Sequence, residues 1–231
     1  MRLGQVIGAT QKDIESKKFN YWIGVSLGYK YFNKDNIQTY IEWAISNTKN
    51  SIFILVADWI YAINLEVLDK RDKQLALRKA MRLGDAKIAE ITDIINALAP
   101  EVANRIKIGR WKDIESSEIH QNRVKILFEE FKKKTDFYNR IIEIVKDTFK
   151  NNPKNVTQED LEKLAEYVLH EMPVFLDGIH LFGNTYDATL YPKIGLIDLL
   201  EKDLQEGVVF PEITKRLEIK SPAAIIEAYV D

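Results

Sequence analysis

The chain has 231 residues, 46% of them apolar and 29% charged, enough for a sizeable core beneath a well-solvated surface. It contains no cysteine, which excludes disulfides and thiolate-ligated metals. The net charge of −2 would argue against a nucleic-acid partner only if the charges were evenly spread, and they are not.

The opening run MRLGQVIGATQKDIESKK soon turns polar and charged, so we expect no signal peptide and a cytoplasmic protein. Phe19 to Ser26 (FNYWIGVS) is an apolar and aromatic run ending at small residues, the pattern of a buried strand. Its end, Gly24-Val25-Ser26-Leu27-Gly28, matches the G-x-S-x-G pattern of a nucleophile elbow, in which flanking glycines let the backbone turn sharply and leave the serine Oγ uncrowded. Side chains alternate along a strand, so Trp22, Gly24 and Ser26 share a face. Gly24 would then leave space beside the serine, with Trp22 walling the bottom. The pentapeptide alone also suits a plain turn with Ser26 as a cap, or a small serine esterase. Against the esterase, His120, His170 and His180 lack the flanking pattern of a triad base, and Ser26 follows the first expected strand, with nothing read upstream to supply an oxyanion loop.

A helix follows over roughly Asn36 to Ser46, capped by Asn33 or Asp35. Ser51 to Asp58 (SIFILVAD) reads as a second strand. The longer apolar stretch Ile52 to Leu68 is interrupted by Asp58, Asn64 and Glu66, which fits a strand and then a helix better than a membrane span. The helix predicted over Lys70 to Leu98 opens with Lys70, Arg71, Lys73, Arg78, Lys79, Arg82 and Lys87, against only Asp72 and Asp85. Such a patch suits phosphates, although a solvated charged face would look the same. Arg105 to Trp111 alternates as a third strand, and helices are predicted over Asp113 to Lys134 and Phe137 to Lys150.

Thr157 and Asp160 resemble a capping box opening a helix from Gln158 to Glu171. Tyr167 and Glu171, four apart, lie on one face, and Pro173 should end or kink the helix just after Glu171. A phenol and a carboxylate at a helix end could receive an ammonium group; a half-buried Tyr beside a surface Glu is the simpler account of the pair alone. His170 reads as a helix-surface residue, and His180 has no partner at metal spacing, so no metal site is expected. Ile179 to Phe182 is a weak strand candidate, and Ala188 to Pro192 a fourth strand ending in Tyr191-Pro192. Strands alternating with long helices predict an α/β fold with a parallel sheet flanked by helices, and ligands at the carboxyl ends of its strands. Ser26, Asp58, Trp111 and Tyr191 all fall at such ends and could converge on one crevice. No linker divides the chain, so one domain over 1–231 is expected.

Taken together, these motifs resemble the tRNA-dependent cyclodipeptide synthases from about Phe19 to Pro192: Ile23 to Phe32 (IGVSLGYKYF) is like the nucleophile segment, Tyr167 to Pro173 like the Tyr-x-x-x-Glu-x-Pro signature, and Tyr191 stands at the spacing of the third catalytic position. Tyr29 and Tyr191-Pro192 are similar to the branch with a variable residue and Tyr-Pro at those places. The resemblance implies a Rossmann-like domain similar to class I tyrosyl- and tryptophanyl-tRNA synthetases. It further implies transfer of two aminoacyl groups from charged tRNAs, through aminoacyl-Ser26, into a cyclic dipeptide. Tyr167 and Glu171 are implied to hold the substrate ammonium, Tyr191 to relay a proton, and the Lys70–Lys87 cations to bind tRNA. Gly24, Tyr29, Trp22, Val174 and Thr189 are the expected pocket residues. HIGH-like, KMSKS-like and P-loop sequences are missing, and an already activated ester needs no ATP, so no cofactor is expected. The alternatives kept open are a non-catalytic tRNA-binding domain of synthetase fold and the esterase.

Overall fold

The structure, a computed structural model, describes residues 1–150, 156–220 and 222–230. In chain order the elements are β1 (Arg2–Ile7), α1 (Gln11–Glu15), β2 (Tyr21–Ser26), α2 (Lys34–Asn47), β3 (Ile52–Ala57), α3 (Tyr61–Val67), α4 (Lys73–Asn96), α5 (Pro100–Ala103) and β4 (Ile106–Arg110). They continue with α6 (Trp111–Glu115), α7 (Glu118–Lys132), α8 (Asp136–Thr148), α9 (Gln158–Asp177), β5 (Ile179–Leu181), β6 (Asn184–Tyr186), β7 (Ala188–Tyr191), α10 (Leu196–Gln205), α11 (Pro211–Leu217) and β8 (Ala224–Tyr229).

Six strands form one sheet in the order β1-β8-β7-β2-β3-β4, parallel except for the antiparallel edge strand β1. From β2 the chain steps outward to β3 and β4 on one side, whereas β7 steps to β8 on the other. The strand order therefore reverses between β2 and β7, and their carboxyl ends, Ser26 and Tyr191, flank the crevice such a reversal opens.

Alternation along β2 sorts its side chains between two cores. Tyr21, Ile23 and Val25 pack with Ile37 and Ile41 of α2 and Ile91 and Ile94 of α4. Trp22 turns to the opposite layer with Phe53, Ile63, Trp111, Val174 and Phe175. Beyond that layer, α7, α8, α9, α10 and α11 share a third apolar core, including Leu127, Ile141, Leu169 and Leu204.

The four expected strands of the sheet are present, and β1 and β8 are added to them. The Ile179 segment pairs only with β6 in a separate two-stranded hairpin. Asn33 caps α2, and the Thr157/Asp160 capping box opens α9. The helix expected over Asp113 to Lys134 is broken by the cap of Ser117 into α6 and α7. The basic helix starts at Lys73 behind the Asp72 cap, which leaves Lys70, at φ +52°, and Arg71 outside it. Pro173 does not end α9: the helix runs on to Asp177. Proline removes the bond to the Leu169 carbonyl, at a cost of about 3 kcal/mol. Burial of Met172, Val174, Phe175 and Leu176 in two cores opposes that cost.

Candidate active site

At the carboxyl ends of β2 and β7 lies a cavity of about 590 Å³. Ser26 enters it from β2, Tyr191 from β7, Tyr167 and Glu171 from α9, Tyr61 and Asn64 from α3, and Asp198 from the start of α10. The four residues expected to act together thus line one space. Tyr167 and Glu171 project from mid-helix rather than from a helix end, because α9 continues past Pro173.

The Tyr167 phenol interacts with the Ser26 side chain. Burial, then the charge of Glu171, pushes the Tyr167 phenol well above its ordinary range; Tyr191 is raised for the same reasons, with Asp198 adding to them. Both phenols therefore keep their protons at neutral pH. Burial lifts Glu171 to about 8, helped by Asp198, and lifts Asp198 itself to about 6. Glu201, one turn beyond Asp198, is fully buried, neither carboxyl oxygen having a hydrogen-bond partner among the described residues, and is pushed well up by burial, Asp198 and Glu171. A carboxyl lifted to about 8 is mostly protonated at neutral pH, and a cationic group such as an ammonium beside Glu171 would favour its ionised form.

The glycines of the pentapeptide act through space rather than through turn geometry: neither has positive φ. A Cβ on Gly28 would stand 2.6 Å from the Tyr61 ring, so only glycine lets that ring reach the cavity. A Cβ on Gly24 would meet the Trp22 ring at 3.1 Å. The gap expected beside Gly24 is therefore filled by Trp22, which is held edge-on against Phe175, their centroids 5.0 Å apart.

Trp22, Gly24, Val174 and Thr189 are not among the lining residues, whereas Tyr29 is. Trp22, Val174 and Thr189 are buried in the strand and helix layers, since a central strand has both faces covered. Asp58 and Trp111 do not join the crevice either. Asp58 is buried, accepts from Arg110 Nη1 at 2.8 Å, and packs against Gly84 of α4; Trp111 lies in the core at the start of α6. His170 is not a free surface residue, because Trp59 and Phe128 meet its ring edge-on, each at 5.3 Å. None of the three histidines lines the cavity.

Sequence reasoning missed Tyr61, Asn64, Asp198 and Glu201. The one available signal was Gly195 three residues before Asp198, a helix-start pattern; Asp198 accepts from the Gly195 N–H at 2.6 Å.

Along the basic segment, Lys70 pairs with Asp160, Arg71 and Lys79 with Asp69, and Lys87 with Glu90. Lys73, Arg78 and Arg82 are exposed, with no ion pair among the described residues. Among those residues, no three metal-ligating side chains cluster, and no helix is long and apolar enough to cross a membrane.

Comparison with known proteins agrees with this fold. The cyclodipeptide synthase family model matches residues 7–204. A cyclo(L-leucyl-L-leucyl) synthase of Staphylococcus haemolyticus is 26% identical over 217 residues, 83% of this chain and 91% of that protein. A solved cyclodipeptide synthase from the same organism superposes with TM-score 0.75 at 22% identity, all of each chain covered. The synthase of Candidatus Glomeribacter gigasporarum, solved bound to Phe-tRNAPhe, gives 0.62 at 15% identity, covering 96% of this chain and 93% of that one. A tyrosyl-tRNA synthetase of Archaeoglobus fulgidus gives 0.53 at 12% identity, covering 94% and 57%, which extends the likeness of fold to class I synthetases. A family match over most of the chain, on a fold that solved members share, shows that the chain belongs to the cyclodipeptide synthases, tRNA-dependent aminoacyltransferases.

Proposed function

We propose that this chain, acting as one domain, makes a cyclic dipeptide from two aminoacyl-tRNAs through acyl intermediates on Ser26. The observation that carries the reading is the meeting of Ser26, Tyr167, Glu171 and Tyr191 in one cavity at the sheet reversal.

In the first step Ser26 Oγ attacks the ester carbonyl of a charged tRNA, and the departing ribose oxygen takes the serine proton. Backbone N–H groups near Gly24 to Gly28 are the oxyanion donors in this reading. Glu171 and Tyr167 hold the α-ammonium of the acyl group, and an ammonium beside Glu171 favours its ionised form. Loss of a proton frees that amine to attack the ester of a second charged tRNA. The new peptide bond forms as the second ribose oxygen leaves, giving a dipeptidyl-Ser26. The remaining amine then attacks the Ser26 ester, closing the six-membered ring and returning the serine. Tyr191, protonated and beside the reacting atoms, passes the proton between amine and Ser26 Oγ in that closure.

Tyr29 and Tyr191-Pro192 place the chain, in this reading, in the branch with Tyr-Pro at the third catalytic position. The exposed cations Lys73, Arg78 and Arg82, with no ion pair among the described residues, contact tRNA phosphates in this reading, while Lys70, Arg71, Lys79 and Lys87 contribute less because carboxylates already hold them. An esterase reading lacks a base, since no histidine reaches the cavity. Expression in a bacterial host, with mass spectrometry of the medium for diketopiperazines, tests the activity. A new diketopiperazine supports it, and a medium identical to that of the empty host overturns it.

A further inference from the structure

Tyr29 is the one large aromatic of the cavity lining that is left substantially in solvent. It keeps 45% of its surface exposed although Tyr31 stacks on it at 5.7 Å and 24°, and Phe32 meets it edge-on at 5.9 Å. The ring is not a loose side chain. Tyr29 N–H bonds to the Ser26 carbonyl at 3.4 Å, and Phe32 N–H to the Tyr29 carbonyl at 3.1 Å, so two consecutive turns tie it to the nucleophile. Tyr31 is anchored in turn, its hydroxyl accepting from the Val230 N–H at 2.7 Å. Two lysines stand at the same rim: Lys30, next in the chain, and Lys193, which lines the cavity; both are exposed with no ion pair among the described residues.

An exposed, rigidly backed aromatic with neighbouring cations is the arrangement that holds single-stranded nucleic acid, the ring stacking a base and the cations taking phosphates. Its distance in the chain from Ser26 makes the assignment specific. An ester on a terminal ribose can reach Ser26 Oγ only if the base on that same ribose lies within one nucleoside of the serine. The aromatic at the mouth is the surface such a base would meet.

We propose that Tyr29 is the stacking platform for the terminal adenine of the charged tRNA, with Lys30 and Lys193 beside the last phosphates. The assignment rests on the proposed use of aminoacyl-tRNA and adds a subsite for the nucleoside, separate from the groups that hold the amino acid. It requires an aromatic ring at position 29 and no particular hydroxyl.

The test is binding of an uncharged acceptor-stem minihelix ending in CCA, compared with the same minihelix carrying an abasic terminal nucleotide, by fluorescence anisotropy at low salt. The wild type should prefer the intact end by about tenfold, the range of one base–aromatic stack. Tyr29→Leu should bring that ratio to about one, with binding of the abasic minihelix unchanged, while Tyr29→Phe and Tyr29→Trp keep the preference. The unchanged abasic binding also serves as the check that the Leu variant is folded. A ratio near one in the wild type, or an undiminished ratio in Tyr29→Leu, overturns the stacking assignment alone. Failure of the wild type to bind either minihelix, together with no diketopiperazine in culture, overturns the tRNA-dependent reading and this subsite with it.

Discussion

Ser26 and Tyr167 interact side chain to side chain although one ends β2 and the other sits in the middle of α9, so the helix that carries Glu171 also brings a phenol to the nucleophile candidate. Loss of that phenol should be felt at the chemical step. Tyr167→Phe should lower kcat/KM for charged tRNA by about 10–100-fold, the range of a hydrogen bond to a charged or reacting group. Glu171→Gln, which removes the countercharge for the ammonium, should cost at least as much. Steady-state kinetics checks both, and wild-type kcat/KM in either variant would remove that residue from the site.

The buried carboxyls of α9 and α10 should give the protein an unusual stability profile. Glu171 and Asp198 rise to about 8 and about 6, and Glu201 rises well above the usual range, all chiefly through burial. A carboxyl whose pKa is raised on folding binds more protons in the native than in the unfolded chain between the two values. Its contribution to stability is therefore largest at low pH and is lost as pH rises through that window. The melting temperature should fall from about pH 5 to about pH 8. Glu201→Gln should raise it and flatten the fall, since a buried carboxyl without partners costs about 1–3 kcal/mol. Thermal melts across that range decide, and a wild-type Tm that climbs with pH would contradict the burial account.

On α4, Arg78→Glu with Arg82→Glu should raise KM for charged tRNA by about tenfold at physiological salt and make the log–log salt dependence shallower by about one to two. Lys79→Ala and Lys87→Ala should change KM by only about twofold, because Asp69 and Glu90 already occupy those cations. Equal effects at all four positions would argue for general charge rather than defined contacts.

The placement of α4 depends on one buried pair. Arg110 links Asp58 at the end of β3 to Asp85 on α4, and a Cβ on Gly84 would stand 2.7 Å from Asp58 Cβ. Arg110→Met leaves a buried aspartate uncompensated and should destabilise the fold by about 3–5 kcal/mol. Gly84→Ala should cost about 1–3 kcal/mol through overpacking. Denaturant titration measures both, and a change below about 0.5 kcal/mol, the usual surface level, would contradict the clamp.

Much of the sheet was readable because β2 and β3 are continuous apolar runs, the mark of strands covered on both faces, while β4 showed itself by alternation. β1 escaped notice because an edge strand mixes Arg2 and Gln5 with its apolar residues, and β8 because a short run such as AIIEAY suits helix or strand equally. Pro173 misled for a physical reason: a local rule gave way to the burial of Met172 before it and of Val174, Phe175 and Leu176 beyond it. The proposed site shows the same division. Ser26, Tyr167, Glu171 and Tyr191 stood out through motif spacing, whereas Tyr61, Asn64 and Asp198 are ordinary residues brought in by the packing of α3 and α10. Alternation put Trp22 on the Ser26 face, but only coordinates show its ring filling the space at Gly24.

The central claim is covalent, and intact-protein mass spectrometry tests it most directly. Mixed with a charged tRNA of the amino acid found in its product, the wild-type protein should gain the mass of one aminoacyl group, mapped by proteolysis to the peptide containing Ser26. Ser26→Ala should show neither the adduct nor the cyclic dipeptide. An adduct on another residue, or a cyclic dipeptide still made by Ser26→Ala, would contradict the account.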